Sequence, residues 1–242
     1  MVSTIKRPFA VFDIDGTLIR WQLHHAMNDV LAKKNLIDAK SFDHIREARM
    51  NWKRRSSTLS FREYEQLLIV LFEKELVGLK VSDFDAAAKE VFDEYKDQIY
   101  IYTRDLIRDL KKKNYLVFAI SGSPENIISK LVKYYAFDDY AASNYEQKNG
   151  KFTGETSVTL GRKAELLSNL VKTHWATFDN SIAVGDSEGD AEMLAMVESP
   201  IAFNPSNELL DIAMTKRWKI VVERKNVIYQ LTNSKSGYIL TL

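Results

Sequence analysis

Four short clusters in this chain have residue types and spacings that could do chemistry. Asp13 and Asp15 stand one residue apart at the end of an apolar run, FAVFDIDGTLI, with Gly16 and Thr17 directly behind them. Ser121-Gly122-Ser123-Pro124 closes a second apolar run, and Gly161-Arg162-Lys163 opens a helical pattern. Gly185-Asp186-Ser187-Glu188-Gly189-Asp190 closes a third apolar run. Taken singly, each has a plain structural reading. Asp and Gly favour turns, Ser-Pro is a good helix opening, and one lysine at a helix start is usually solvated. A calcium loop is excluded, because its sixth and twelfth positions need Gly and Glu where this chain has Leu18 and His24.

Taken together, the clusters read differently. Four carboxylates, a lysine and a hydroxyl would meet at one edge of one sheet. Carboxylates about 4 Å apart repel by roughly 1–4 kcal/mol per pair, depending on the effective dielectric. A hard divalent cation removes that penalty, and Mg²⁺ prefers oxygen ligands while keeping several waters. The Ser121 hydroxyl, the backbone N–H groups around Gly122, the following helix N-terminus and Lys163 suit a dianionic phosphate.

The elements that must position these groups follow from periodicity. Phe9 to Ile14 reads as a buried strand. From about Trp21 to Gln98 there is no proline and almost no glycine, and apolar residues recur at helical spacing, as in Leu67, Leu68, Leu71 and Phe72. Three or four helices are expected, one opened by a capping box at Ser60 and Glu63 and one preceded by Ser82. After Thr103, strands and helices alternate. Helices are expected over 104–114, from Ser123-Pro124 onward, and over 162–173, 188–197 and 206–214. Strands are expected over 115–120, 181–184, 201–203 and 219–222. Asn149-Gly150 between short extended segments predicts a hairpin. The tail after Tyr229 is weakly patterned and is expected simply to pack on the core. This alternation predicts an α/β fold, a doubly wound parallel sheet with helices on both faces, interrupted after its first strand by a helical insertion. Open parallel sheets bind ligands at the carboxyl ends of their strands, where the four clusters fall.

Composition narrows the class. Hydrophobic residues make up 45% and charged residues 28% of the 242, as in ordinary globular proteins. A net charge of +1 gives no support for nucleic acid as partner. With no cysteine, disulfides, thiolate metal sites and cysteine nucleophiles are excluded. No stretch approaches a membrane span of roughly 18 apolar residues. The amino-terminal run is too short for a signal peptide, so a cytoplasmic location is expected.

The four clusters, in this order, resemble the motifs of the haloacid dehalogenase (HAD) superfamily, in its phosphoserine-phosphatase-like branch. Asn144 before Asn149-Gly150-Lys151-Phe152-Thr153-Gly154, and Ile201-Ala202-Phe203-Asn204-Pro205, add to the resemblance, which covers about residues 8–215. It implies a Rossmann-like core over 1–19 and 103–242 and an inserted all-helical cap over 20–102. Asp13 matches the nucleophile, forming an aspartyl-phosphate, and Asp15 the general acid/base. Ser121, Gly122 and Lys163 match the phosphate-holding positions. Asp13, the backbone carbonyl of Asp15 and Asp186 match the Mg²⁺ ligands. Thr17 would fix the first loop, and Asp190 would orient Lys163 or the metal waters. The implied activity is Mg²⁺-dependent hydrolysis of a small phosphorylated metabolite. Two alternatives stand beside it: a phosphotransferase using the same intermediate, and a non-catalytic protein that binds phosphorylated ligands.

Two departures bear on substrate. Where phosphoserine-specific members carry a glutamate in the first cap helix this chain has Gln22, and where they carry asparagine before the last aspartate it has Gly189. Both weaken phosphoserine as the substrate. Gln22, His24 and Arg49 are candidate specificity residues, with His25, Arg46 and the Lys53-Arg54-Arg55 run behind them. The basic run reads first as a solvated face. Trp21, Trp52, Phe61 and Tyr64 read first as cap core.

Overall fold

The computed structural model describes residues 6–57, 59–234 and 237–241. Its apolar runs become strands β1 (Pro8–Phe12), β2 (Leu116–Pro124), β3 (Asp139–Lys148), β4 (Lys151–Ser157), β5 (Thr177–Gly185), β6 (Ser199–Phe203), β7 (Lys219–Arg224), β8 (Val227–Ser234) and β9 (Gly237–Thr241). They form one sheet in the order β4-β3-β2-β1-β5-β6-β7-β8-β9. Neighbours among β3, β2, β1, β5, β6 and β7 pair in parallel, while β4, β8 and β9 extend the edges antiparallel. β1 is central, between β2 and β5, which explains its unbroken apolar run: a parallel strand is covered on both faces. Phe9 and Val11 enter one core with Leu116, Phe118 and Ile120. Ala10 and Phe12, pointing the other way, enter a second with Val117 and Ala119.

Helices cover both faces. α1 (Leu23–Lys33), α2 (Ala39–Lys53), α3 (Ser60–Leu76) and α4 (Val81–Tyr95) form the insertion after β1. α5 (Ile101–Lys112) and α6 (Glu125–Tyr134) lie on the Phe12 side. α7 (Lys163–Thr173), α8 (Ala191–Ala195) and α9 (Asn207–Lys216) lie on the Val11 side. The insertion does not have one core of its own. Leu23, Met27 and Leu31 of α1 and Phe84, Ala88 and Val91 of α4 share the sheet's core with Phe12, Leu18 and Ile127. Ile45, Tyr64 and Leu68 of α2 and α3 form a separate small cluster. The expected boundary after residue 102 falls inside α5, whose first two N–H groups, of Ile101 and Tyr102, are accepted by the buried carboxylate of Glu223 at 3.1 and 2.8 Å. No helix among the described residues is long and apolar enough to cross a membrane.

The Asn149-Gly150 hairpin forms as expected, both residues at positive φ (52° and 73°), between β3 and β4. Several local expectations are corrected. The tail after Tyr229 is strand, not irregular packing: β8 pairs antiparallel with β7, and β9 pairs antiparallel with β8. These edge strands are largely exposed, so no buried face imposes the alternation by which a strand is read. Ser60 forms no capping box; Leu59 is the N-cap of α3 and the Ser60 hydroxyl donates to the Ser57 carbonyl at 2.8 Å. α4 starts at Val81, so Ser82 is inside it. The 188–197 helix is a 3₁₀ turn over Glu188–Asp190 followed by the short α8. Ser123 does not cap α6: Pro124 is the N-cap, and the Ser123 hydroxyl donates to Asp15, a half-buried carboxylate that needs donors.

Candidate active site

The chain leaves β1 at Phe12, and the Asp13 N–H donates to the Val184 carbonyl of β5 at 2.9 Å. Asp13 is thereby fixed at the carboxyl ends of the two central strands, 4% exposed. The chain then turns at once, with the N–H groups of Leu18 and Ile19 both donating to the Ile14 carbonyl. Gly16 makes this possible. Its φ is +80°, and a Cβ there would lie 2.2 Å from Oδ2 of Asp186. The loop after β1 can lie against the loop after β5 only because that position has no side chain.

Lys163, the first residue of α7, enters from the other side. Its Nζ donates to Oδ1 of Asp13 at 2.7 Å and to Oδ1 of Asp190 at 2.5 Å. The other oxygen of Asp190 accepts from Asp186 N–H (3.1 Å), Ser187 N–H (3.0 Å) and the Ser187 hydroxyl (3.1 Å). Asp190 therefore orients Lys163 and shapes the loop that carries Asp186. Thr17, fully buried, donates to Oδ1 of Asp186 at 3.4 Å, and its carbonyl accepts the Thr103 hydroxyl of α5 at 2.9 Å.

Asp15 has separate partners. It accepts from Ser121 Oγ (2.8 Å), Ser123 Oγ (3.0 Å) and the backbone N–H of Leu23 (2.6 Å). Leu23 opens α1, whose N-cap residue Gln22 makes no side-chain cap. Asp15 thus supplies the acidic cap of the first inserted helix. Thr159 holds the Ser121 carbonyl at 2.9 Å, and Gly122 beside it is exposed.

The electrostatics follow from burial. Desolvation pushes the Asp13 carboxyl up to about 8; Lys163 pulls it down, and Asp190 and Asp15 push it up. Asp186 is raised well above its usual range by burial, then by Asp13 and Asp190. Burial also raises Asp15, against the donors Leu23, Ser121 and Ser123. Burial would lower Lys163, but Asp13 and Asp190 raise it instead, so it stays charged.

One cation therefore faces a surplus of carboxylates. Oxygens of Asp13, Asp186 and Asp190 converge within 4.8 Å of one another. Asp186 is the least satisfied of the three, with only the long Thr17 bond on its carboxylate. An all-oxygen set with unbalanced negative charge fits a hard divalent ion.

Several of the remaining candidates have partners within the inserted helices. Arg49 forms a two-pronged ion pair with Asp29 of α1, so its guanidinium already has a partner. His24 packs edge-on against Phe72 at 4.3 Å, and His25 against Tyr64 at 4.5 Å. Burial lowers them to about 4 and about 3. Trp52 stacks on Tyr64 and tilts against Phe61, as cap core. Trp21 is half-buried, packed against the main core. Arg46, Lys53, Arg54 and Arg55 are exposed.

Sequence reasoning missed Glu65 and the site role of Ser123. Glu65, on α3, is close enough for the charges of Asp15, Lys163 and Asp190 to act on it. Only its spacing from Arg62, one helical turn earlier, could have marked it.

Residues 10–195 match the family model of haloacid dehalogenase-like hydrolases, and the chain belongs to that family. It is 26% identical over 218 residues to a phosphoserine phosphatase of Archaeoglobus fulgidus, covering 87% of this chain and 57% of that one. With phosphoserine phosphatase SerB2 of Mycobacterium tuberculosis it shares 25% over 206 residues, 84% of this chain and 46% of that one. The chain thus spans about half the length of these two relatives, at 57% and 46%. A histidinol-phosphatase of Neisseria meningitidis serogroup C is 25% identical over 234 residues, 88% of this chain and 97% of that one. Among solved structures, a protein of unknown function from Bordetella pertussis has the same fold, at a TM-score of 0.71, 18% identity and coverage of 89% and 98%. A phosphoserine phosphatase in a phospho-aspartyl intermediate analogue has it at 0.62, with 19% identity and coverage of 92% and 96%.

Proposed function

We propose that this chain is a Mg²⁺-dependent phosphomonoesterase for a small phosphorylated metabolite, working through an aspartyl-phosphate on Asp13. The observation that carries the reading is the separation of two neighbouring aspartates, Asp13 buried and Asp15 half-buried, into different environments. Asp13 lies against the Lys163 ammonium, and Asp15 lies apart from it among two hydroxyl donors and one amide donor. One carboxylate is held for attack and the other is suited to hold a proton.

An Asp13 carboxylate oxygen attacks phosphorus as the ester P–O bond breaks, and Asp15 gives its proton to the leaving oxygen. Asp15 then takes a proton from water, which attacks phosphorus; the acyl P–O bond breaks and the Asp13 carboxylate returns. Lys163 holds phosphate oxygens and offsets charge on Asp13. The Gly122 backbone, and the Ser121 hydroxyl once it turns from Asp15, would meet the same oxygens. Asp13, Asp186 and the Asp15 carbonyl would hold Mg²⁺, with Asp190 behind them; bound there, the ion neutralises developing charge on phosphate. The match along nearly the whole histidinol-phosphatase, 97% of its length, supports a phosphate ester of a small alcohol as substrate.

The test is release of phosphate from p-nitrophenyl phosphate. Turnover should need Mg²⁺, stop with EDTA and vanish in Asp13→Asn, and a mass increment of one phosphoryl group should map to Asp13 in trapped enzyme. Undiminished hydrolysis by Asp13→Asn would end the reading.

A further inference from the structure

α3 reaches the loop after β5 through one ion pair. Arg62, in its first turn, pairs with Glu188, in the 3₁₀ turn between Asp186 and Asp190. Residues three apart share a helix face, so Glu65 is turned toward the same loop. Its carboxylate is half-buried and close enough to feel Asp15, Lys163 and Asp190. It makes no hydrogen bond and no ion pair with any described residue.

An unpaired carboxylate partly withdrawn from water is costly, and nearby aspartates add to the cost. Among the described residues, each neighbouring cation already holds another carboxylate. Lys163 is shared by Asp13 and Asp190, Arg62 is held by Glu188, and Arg49 is held by Asp29. Nor does Glu65 join the three carboxylates whose oxygens converge as metal ligands. A positive group must then come from outside the chain. Gln22, at the entrance of α1, is neutral and cannot compete for it.

We infer that Glu65 is a specificity residue that receives a positively charged group on the alcohol part of the phosphoester. The substrate class is a phosphate ester of an amino alcohol or of an alcohol bearing a protonated ring nitrogen. This rests on the phosphomonoesterase reading and adds to it the residue, and the charge, that select the leaving group. Glu65 touches the leaving group and not the reacting atoms, so it acts on discrimination between esters.

The experiment compares kcat/KM for aminoethyl phosphate and hydroxyethyl phosphate, which differ in charge but little in size. The wild-type chain should prefer the amino ester by ~10–100-fold, the size expected of one charge-assisted hydrogen bond. Glu65→Gln should erase most of that preference through KM, Glu65→Asp should keep part of it, and Glu65→Lys should turn it toward carboxymethyl phosphate. A preference unchanged in Glu65→Gln overturns the inference, as does a wild-type chain that does not favour the amino ester. So does a variant whose only change is the Mg²⁺ concentration for half-maximal rate. Wild-type turnover of p-nitrophenyl phosphate separates the two readings: if it is absent, the phosphomonoesterase reading fails and the inference falls with it. If it is present without charge preference, only the role of Glu65 fails.

Discussion

The ammonium of Lys163 lies 2.7 Å from Oδ1 of Asp13, a residue 150 positions away in the chain. The pair is buried and the lysine is held from behind by Asp190. Breaking a buried pair from one side leaves an uncompensated charge and costs about 3–5 kcal/mol. Lys163→Met should therefore lower the unfolding free energy by roughly 3 kcal/mol. It should also cut kcat by about 10²–10³-fold, as loss of one preorganised charge donor does. Urea unfolding and steady-state kinetics read the two effects separately; a variant as stable and as fast as the parent would contradict the pairing.

Gly16 and Gly185 are predicted to be intolerant of alanine for the same reason. A Cβ on Gly16 would fall 2.2 Å from Oδ2 of Asp186, and one on Gly185 would fall 2.5 Å from Cβ and Cγ of Asp190. Gly16→Ala also places a side chain at φ +80°. Each substitution should cost about 1–3 kcal/mol and raise the Mg²⁺ concentration for half-maximal activity, because it displaces a carboxylate of the convergent set. Unchanged metal dependence in both variants would argue against that set as the ion's ligands.

Acid stability should be set partly by two histidines of α1, packed against Phe72 and Tyr64. Burial holds His24 at about 4 and His25 at about 3, against an ordinary 6.5. Above 6.5 both forms of the chain carry them neutral. As pH falls below 6.5, the unfolded chain takes up protons that the folded chain refuses, so stability declines until each folded value is reached. By pH 4 the loss from His24 alone is roughly 3 kcal/mol. His24→Phe and His25→Phe should each move the acid unfolding midpoint downward while leaving stability at pH 8 close to the parent's. Circular dichroism across a pH series reads this directly, and an unmoved midpoint would refute it.

Glu223 is predicted to be structural. It is 6% exposed, and its two oxygens accept the first N–H groups of α5. Glu223→Ala should cost about 1–2 kcal/mol, the value of a helix cap at the upper end of its range. The ratio of kcat/KM between two substrates should not move, because the carboxylate faces the helix and not the cleft. A shift in that ratio would place Glu223 in substrate recognition.

Most of the core was legible along the chain. The FAVF run is apolar throughout because β1 is buried on both faces, and the sheet's helices recur at a period that its two cores impose. The hairpin at Asn149-Gly150 was legible because two successive positive φ values select those residues. β8 and β9 were not, since exposed edge strands leave no buried face to pattern the sequence. Helix starts at Ser60, Ser82 and Ser123 were misplaced by one residue or a few, and at Ser60 and Ser123 the hydroxyl goes to a partner other than the helix's own N–H groups. For Ser123 that partner is Asp15, distant in sequence.

The sequence by itself determined which groups end the central strands, because buried parallel strands and the turns after them restrict residue type position by position. Only the tertiary structure decided which group each charge serves: that Lys163 lies between Asp13 and Asp190, that Arg49 is tied to Asp29, and that Glu65 is left without a partner. Charge pairing depends on distance through space and on the loss of water around each group, and neither is encoded in spacing along the chain.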